Sequence, residues 1–179
     1  MRLEETPLAG AYVVELELLG DERGWFARTY DAEPLRAAGI DPTNVQSSVS
    51  FNARAGTLRG MHYQEEPHAE DKLVRCTRGA IFDVIVDLRP GSDTCCRWFG
   101  IELTPDNGRE LLVPKGFAHG FQTLADATEV HYQMSYPYVP GAGRGVRWDD
   151  PAFAIAWPEP AGAARIISER DAAYPDFRP

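Results

Sequence analysis

The sequence predicts an all-β fold, a sandwich or barrel of short strands with a few short helices, and three observations predict it. The 179 residues include 16 Gly and 14 Pro spread along the chain, which favours frequent turns over long helices. Several short runs alternate apolar and polar residues, the mark of strands with one buried face. Turn-forming clusters separate those runs at close spacing, as in sandwiches and barrels.

Residues 11–19 form the first expected strand, with Leu16 and Leu18 on one face and Glu15 and Glu17 on the other. Asp21-Glu22-Arg23-Gly24 is a turn. Residues 31–39 are the best helix candidate: Asp31 can cap it, Pro34 sits in its first turn, and Gly39 can stop it. From Val45 onward the pattern is nearly all β. Residues 72–77 and 80–88 flank Arg78-Gly79, which reads as a two-residue hairpin. In the second arm Phe82, Val84 and Val86 share one face, while Asp83 and Asp87 share the other. Further strands are expected at 98–103, 110–113, 118–124 and 127–135. Asp106-Asn107-Gly108, Pro114-Lys115-Gly116 and Asp126 punctuate them. No internal repeat or linker stands out, so residues 1–179 are expected to form one domain.

Composition narrows the function classes. Hydrophobic residues are 44% and charged residues 25%, ordinary for a soluble globular protein. A net charge of −9 argues against nucleic-acid binding, which calls for a basic surface. It leaves room for a local cationic pocket that takes an anionic small ligand. Cys76 and the vicinal pair Cys95 and Cys96 make no disulfide framework and read as reduced thiols, as in the cytoplasm. Met1-Arg2-Leu3-Glu4-Glu5 places acidic residues where a signal peptide has its apolar run, and no stretch is apolar enough to span a bilayer.

The chemistry concentrates in Leu58-Arg59-Gly60-Met61-His62-Tyr63-Gln64, with Lys72 in the strand that follows. Arg and Lys can hold a developing negative charge, and His can move a proton near neutral pH. That set suits proton abstraction. Strand parity separates Arg59 from His62, but a bulge at Gly60 would bring both to one side. His62 also fits a satisfied core or surface histidine. His119 lies in Pro114-Lys115-Gly116-Phe117-Ala118-His119-Gly120, where a turn histidine bonded to backbone is the competing reading. Tyr132 taken alone reads as a cross-strand packing aromatic. Arg23, Trp25, Phe26 and Tyr138 could hold a planar base, although aromatics are more often core. A metal site would need clustered His, Cys or carboxylate ligands. Tyr63 follows His62, and His68 and His131 have no matching partners, so no metal is expected.

Taken together these segments resemble the dTDP-4-dehydrorhamnose 3,5-epimerase family of cupin-fold enzymes. The resemblance runs in order from Asp21-Glu22-Arg23-Gly24-Trp25-Phe26, through the His62 segment, Lys72-Leu73-Val74-Arg75 and the His119 segment, to Arg144-Gly145-Val146-Arg147-Trp148 and Ser168-Glu169-Arg170-Asp171. It implies a cupin jelly roll, a homodimer, no metal or organic cofactor, and a nucleotide-diphosphate 4-keto-6-deoxyhexose as substrate. It also implies roles: His62 as base, Asp171 as its orienting carboxylate, Tyr132 as acid on the opposite face, and Lys72 at the enolate oxygen. Arg59, His119 and Arg170 would line the sugar or phosphate site, and Arg23, Phe26, Arg28, Gln46, Ser48 and Tyr138 the nucleotide end. The chain departs from the family pattern at Arg28, Ser48, Gly141 and Gly143. All four departures lie outside the proton-transfer set and bear on the nucleobase and on which carbons are epimerised. The competing expectations are a mono-epimerase, a 3,4-ketoisomerase acting on a CDP- or GDP-linked sugar, and a non-catalytic sugar-nucleotide-binding cupin.

Overall fold

The computed structural model describes residues 1–160 and 164–178. Its elements in chain order are β1 (Arg2–Glu5), β2 (Tyr12–Glu15), β3 (Leu19–Asp21), β4 (Gly24–Phe26), α1 (Ala32–Ala37), β5 (Gln46–Asn52), β6 (Leu58–Gln64), β7 (Lys72–Arg78), β8 (Ile81–Asp87), β9 (Trp98–Leu103), β10 (Arg109–Val113), β11 (Phe117–Thr123), β12 (Thr128–Met134), β13 (Gly143–Gly145) and α2 (Glu169–Ala172). A six-stranded sheet runs β1-β2-β10-β7-β12-β5, and a five-stranded sheet runs β13-β6-β11-β8-β9. β3 and β4 form a separate hairpin. The architecture is the all-β jelly roll that the turn spacing and the resemblance predict.

The pleat explains the layers. Val13, Leu111, Val74, Cys76 and Val130 from the larger sheet meet Ile81, Ile85, Phe117, Phe121 and Leu103 from the smaller one in a single core. On β8 the alternate residues Val84 and Val86 point the other way, into a second cluster that Val146, Phe153 and Trp157 complete. The outer face of the larger sheet is covered at one end by Leu35 of α1, packed with Val14, Leu73 and Leu112. Burying both faces of β8 explains why Ile81-Phe82-Asp83-Val84-Ile85-Val86 is so rich in apolar residues. α1 forms as its sequence dictates: the Asp31 side chain accepts from the Glu33 N–H, and Gly39 follows with φ 75°.

Two expectations need correction. The strand expected over residues 11–19 ends at Glu15. Leu16 turns its N–H to the Gly108 carbonyl and stays half-buried, but Leu18 and Leu19 are exposed, so the alternation does not continue as a strand with one buried face. The expected hairpin at Arg78-Gly79 does not form either. β7 pairs with β10 and β12, whereas β8 pairs with β9 and β11. Gly79, at φ 80°, is where the chain crosses from one sheet to the other, and a Cβ there would come within 3.0 Å of Thr128 Cα. The local signal reports a sharp turn; which strands then pair depends on distant partners.

Candidate active site

The site is built from the inner faces of β6, β7, β11 and β12 together with α2. On β6 the register against β11 sets His62 opposite His119 and Arg59 opposite Phe121, three residues against two. The extra residue is a bulge, and it brings Arg59 to the same side as His62, as the glycine in the sequence allows. Only glycine fits: Gly60 has φ 136°, and a Cβ on it would lie 2.6 Å from Gly120 Cα.

Asp171 reaches His62 from α2. The Ser168 side chain caps this short helix by accepting from the Asp171 N–H. The cap leaves the Asp171 carboxylate 2.8 Å from His62 Nε2. The Gly60 N–H and Arg170 Nε also donate to it, each at 3.3 Å. Burial alone would raise the Asp171 carboxyl, but the hydrogen bond and charge of His62, with the Gly60 and Arg170 donors, pull it down to about 2. With Nε2–H donated to this carboxylate, Nδ1 of His62 is left with the lone pair. The His62 side chain is 34% exposed, so that nitrogen is within reach of a ligand.

His119 is built differently. Its Nε2 lies 2.7 Å from Asp83 Oδ1, and both side chains are buried. Burial raises the Asp83 carboxyl against the opposing pull of His119 and Lys72, and Oδ2 has no hydrogen-bond partner among the described residues. Tyr132 stands edge-on to the His119 ring at 6.2 Å. Burial raises the Tyr132 hydroxyl strongly, and Asp83 adds to this, while Arg59 and Ser50 oppose it. Arg59 is itself held by Asn52, whose Oδ1 accepts from Nε at 2.7 Å. Lys72 pairs with Glu70 at 2.9 Å.

Three cavity lobes meet around these groups. One, of about 410 Å³, is lined by His62, Lys72, Tyr138, Arg170 and Tyr174, among others. A second, of about 250 Å³, is lined by Gln46, Ser48, Tyr132 and Tyr138, and shares Glu70 and Lys72 with the first. A third, of about 510 Å³, holds Arg59, His62, Arg170 and Asp171. Gln46 Oε1 accepts from the Tyr138 N–H at 2.7 Å, which fixes the loop that carries the exposed Tyr138 ring.

The structure therefore brings together His62, Asp171, Lys72, Tyr132, Arg59, His119, Arg170, Gln46, Ser48 and Tyr138. It does not bring Arg23, Phe26 or Arg28 to them within one chain. Arg23 is paired with Asp21, and Phe26 is 68% exposed on the β3–β4 hairpin. Their recess shares no lining residue with the three lobes. Arg28 bonds Asp31, the cap of α1, at 3.0 Å. Among the described residues, no group of three or more His, Cys, Asp or Glu side chains is placed to hold a metal.

Sequence reasoning missed Glu70, Asn52 and Tyr174, and missed Asp83 as the partner of His119. Asp83 carried a usable signal: at strand spacing it shares a face with Ile81 and Ile85, so it had to be buried. Glu70 stands two residues before Lys72, the spacing that puts both on one face. Tyr174 follows α2 and gave no signal of its own.

A jelly roll that sets a histidine–carboxylate pair, a tyrosine and a lysine around one cavity defines a class, the isomerases that work by moving a proton. Comparison with known proteins makes the class specific. A family model described as dTDP-4-dehydrorhamnose 3,5-epimerase matches residues 5–179. A relative of that name from Sinorhizobium fredii is 42% identical over 177 residues, 99% of this chain and 90% of its own length. The crystal structure of the Bacillus anthracis dTDP-4-dehydrorhamnose 3,5-epimerase, with TDP and PPi bound, superposes with a TM-score of 0.93 at 43% identity, covering 98% of this chain and 99% of that one. A 3'-monoepimerase from Streptomyces bikiniensis, in complex with dTDP-quinovose, gives a TM-score of 0.88 at 32% identity, covering 96% and 85%. The chain belongs to the dTDP-4-dehydrorhamnose 3,5-epimerase family and is an isomerase.

Proposed function

We propose that this cavity converts dTDP-4-dehydro-6-deoxy-D-glucose to dTDP-4-dehydro-L-rhamnose by epimerisation at C3 and C5. The observation that carries the reading is the placement of His62 and Tyr132 on opposite sheets, with Lys72 lining the lobes on both sides. His62 Nδ1 takes the proton next to the 4-keto group, and Asp171 supports the imidazolium that forms. The Lys72 ammonium meets the negative charge that develops on the keto oxygen, commonly the main source of rate in such reactions. Tyr132, kept protonated by its burial, returns a proton from the opposite face. Proton removal and return balance without an electron acceptor, so the reaction needs no redox cofactor. Arg59 and Arg170 supply the positive charge for a diphosphate at the wall of the third lobe.

Residues 1–179 act as one domain, and two copies pair. Val49 and Phe51, exposed on the outer face of edge strand β5, and Phe26 on the hairpin are apolar surface suited to that contact. Among the described residues no helix is long and apolar enough to cross a membrane, and the free thiols suit the cytoplasm.

The test is incubation of the substrate in heavy water with product analysis. Deuterium at both C3 and C5 is the expected outcome. Deuterium at one carbon would instead support the mono-epimerase reading. A carbonyl at C3 would mark a 3,4-ketoisomerase. Absence of exchange with dTDP-, CDP- and GDP-linked 4-keto sugars would leave only the binding-module reading.

A further inference from the structure

We propose that Glu70 is a positioning residue for Lys72: its carboxylate holds the Lys72 ammonium where the His62 and Tyr132 lobes meet, aimed at the oxygen on which charge develops. The inference rests on the role of Lys72 proposed above.

A lysine carries its charge on a flexible four-carbon stem and has no preferred geometry of its own. Lys72 and Glu70 are 14% and 7% exposed, and a buried ammonium is costly without a partner. Glu70 Oε1 lies 2.9 Å from Lys72 Nζ. A carboxylate accepts and never donates, so it takes one of the three ammonium N–H groups and leaves two for a ligand oxygen.

Glu70 is in turn fixed. Its other oxygen accepts from Gln64 Nε2, and Gln64 is 5% exposed. Gln64 Oε1 accepts from the Val139 N–H at 2.8 Å, while its Nε2 also faces the Pro137 carbonyl at 3.2 Å. The carboxylate that holds the cation is therefore tied, through one amide, to the loop that carries Tyr138. The two arginines assigned to the substrate are held otherwise. Arg59 is held by the neutral Asn52 amide, and Arg170 leans on the carboxylate that also serves His62. Of these three cations, Lys72 alone has a carboxylate to itself. The pair also stands at the boundary shared by the two lobes that hold the base and the acid.

The experiment compares the full-length wild type with Glu70→Ala and Glu70→Gln, reading kcat and KM for solvent-deuterium exchange, dTDP affinity and thermal melting. For Glu70→Ala we expect kcat to fall about tenfold, short of the ~10²-fold that a misplacement of about 1 Å can cost, with KM and dTDP affinity within about twofold of wild type. Glu70→Gln keeps an acceptor and should recover part of the loss in kcat. An unchanged kcat in Glu70→Ala overturns the proposal. So does a fall in kcat matched by equal losses in dTDP affinity and melting temperature, because Glu70 would then only brace the 136–139 loop. A wild type that exchanges no deuterium overturns the functional reading as well, so the two failures are distinguishable.

Discussion

His62–Asp171 and His119–Asp83 are built from the same two residue types, 2.8 Å and 2.7 Å apart, with the two histidines opposite each other on paired strands. Their surroundings differ. Asp171 accepts from His62, Gly60 and Arg170, and its carboxyl is pulled down to about 2. Asp83 accepts from His119, its second oxygen has no partner among the described residues, and burial raises its carboxyl. The same contrast recurs away from the site. Asp87 collects donors from Arg89, Ser92 and Thr94 and is lowered despite its burial. Glu110 is raised to about 8 by burial, and its one cation, Arg75, stands 3.6 Å away, too far to donate. Burial raises all four; the number of donors decides which of them end low. Only the donor-rich pair has a histidine open to a ligand, which supports the proposed role of His62 as the base.

The sharpest way to break this comparison is at the base. His62→Ala should lower exchange by about 10²-fold or more, with dTDP affinity largely kept, as read by steady-state kinetics and calorimetry. Unchanged turnover would remove His62 from the mechanism. Asp171→Asn should cost less than the loss of the imidazole, as the aspartate of a catalytic triad costs less to remove than its histidine, because the imidazole survives without its anionic support. It also changes acid stability. A carboxyl lowered in the folded state contributes stability above its ordinary value near 3.8, and this is lost as pH falls towards about 2. Melting curves of Asp171→Asn should therefore converge on wild type as the pH drops through that window.

Glu110→Gln should give the smallest effect and the opposite pH sign. A carboxyl raised in the folded state weakens the fold as pH climbs from about its ordinary 4.5 to about 8. The amide removes that penalty, so the variant should melt about 3 °C higher at pH 8 than wild type, which for a chain of this size is ~1 kcal/mol, and show little gain at pH 5. Exchange activity should stay the same, since Glu110 is on β10, away from the lobes. A variant that melts lower at pH 8 would show that Arg75 satisfies this carboxylate after all.

His62, Lys72, Tyr132 and Asp171 were named through the family resemblance, and the structure brings the four side chains together; Gly60 announced the bulge that brings Arg59 round. The Glu70–Lys72 pair was not legible, because an i, i+2 spacing says that two side chains share a face but not that they touch. The hairpin expected at Arg78-Gly79 failed for a related reason: a turn signal is local, while β7 pairs with strands 35 or more residues away and β8 with strands 12 or more residues away. Arg23 and Phe26 matched a motif and Arg28 stood at a departure from it, yet one chain alone does not carry any of the three to the cavity.

The order of apolar, turn and polar residues was enough to set the all-β class and the cap of α1, because each follows from local geometry, whereas the candidate proton-transfer residues were named through the family resemblance. Strand pairing across the two sheets, the unequal donor counts of Asp171 and Asp83, and the separation of the hairpin from the cavity were decided by the tertiary structure. These depend on which distant groups burial brings within hydrogen-bond reach, and a linear pattern does not encode that distance.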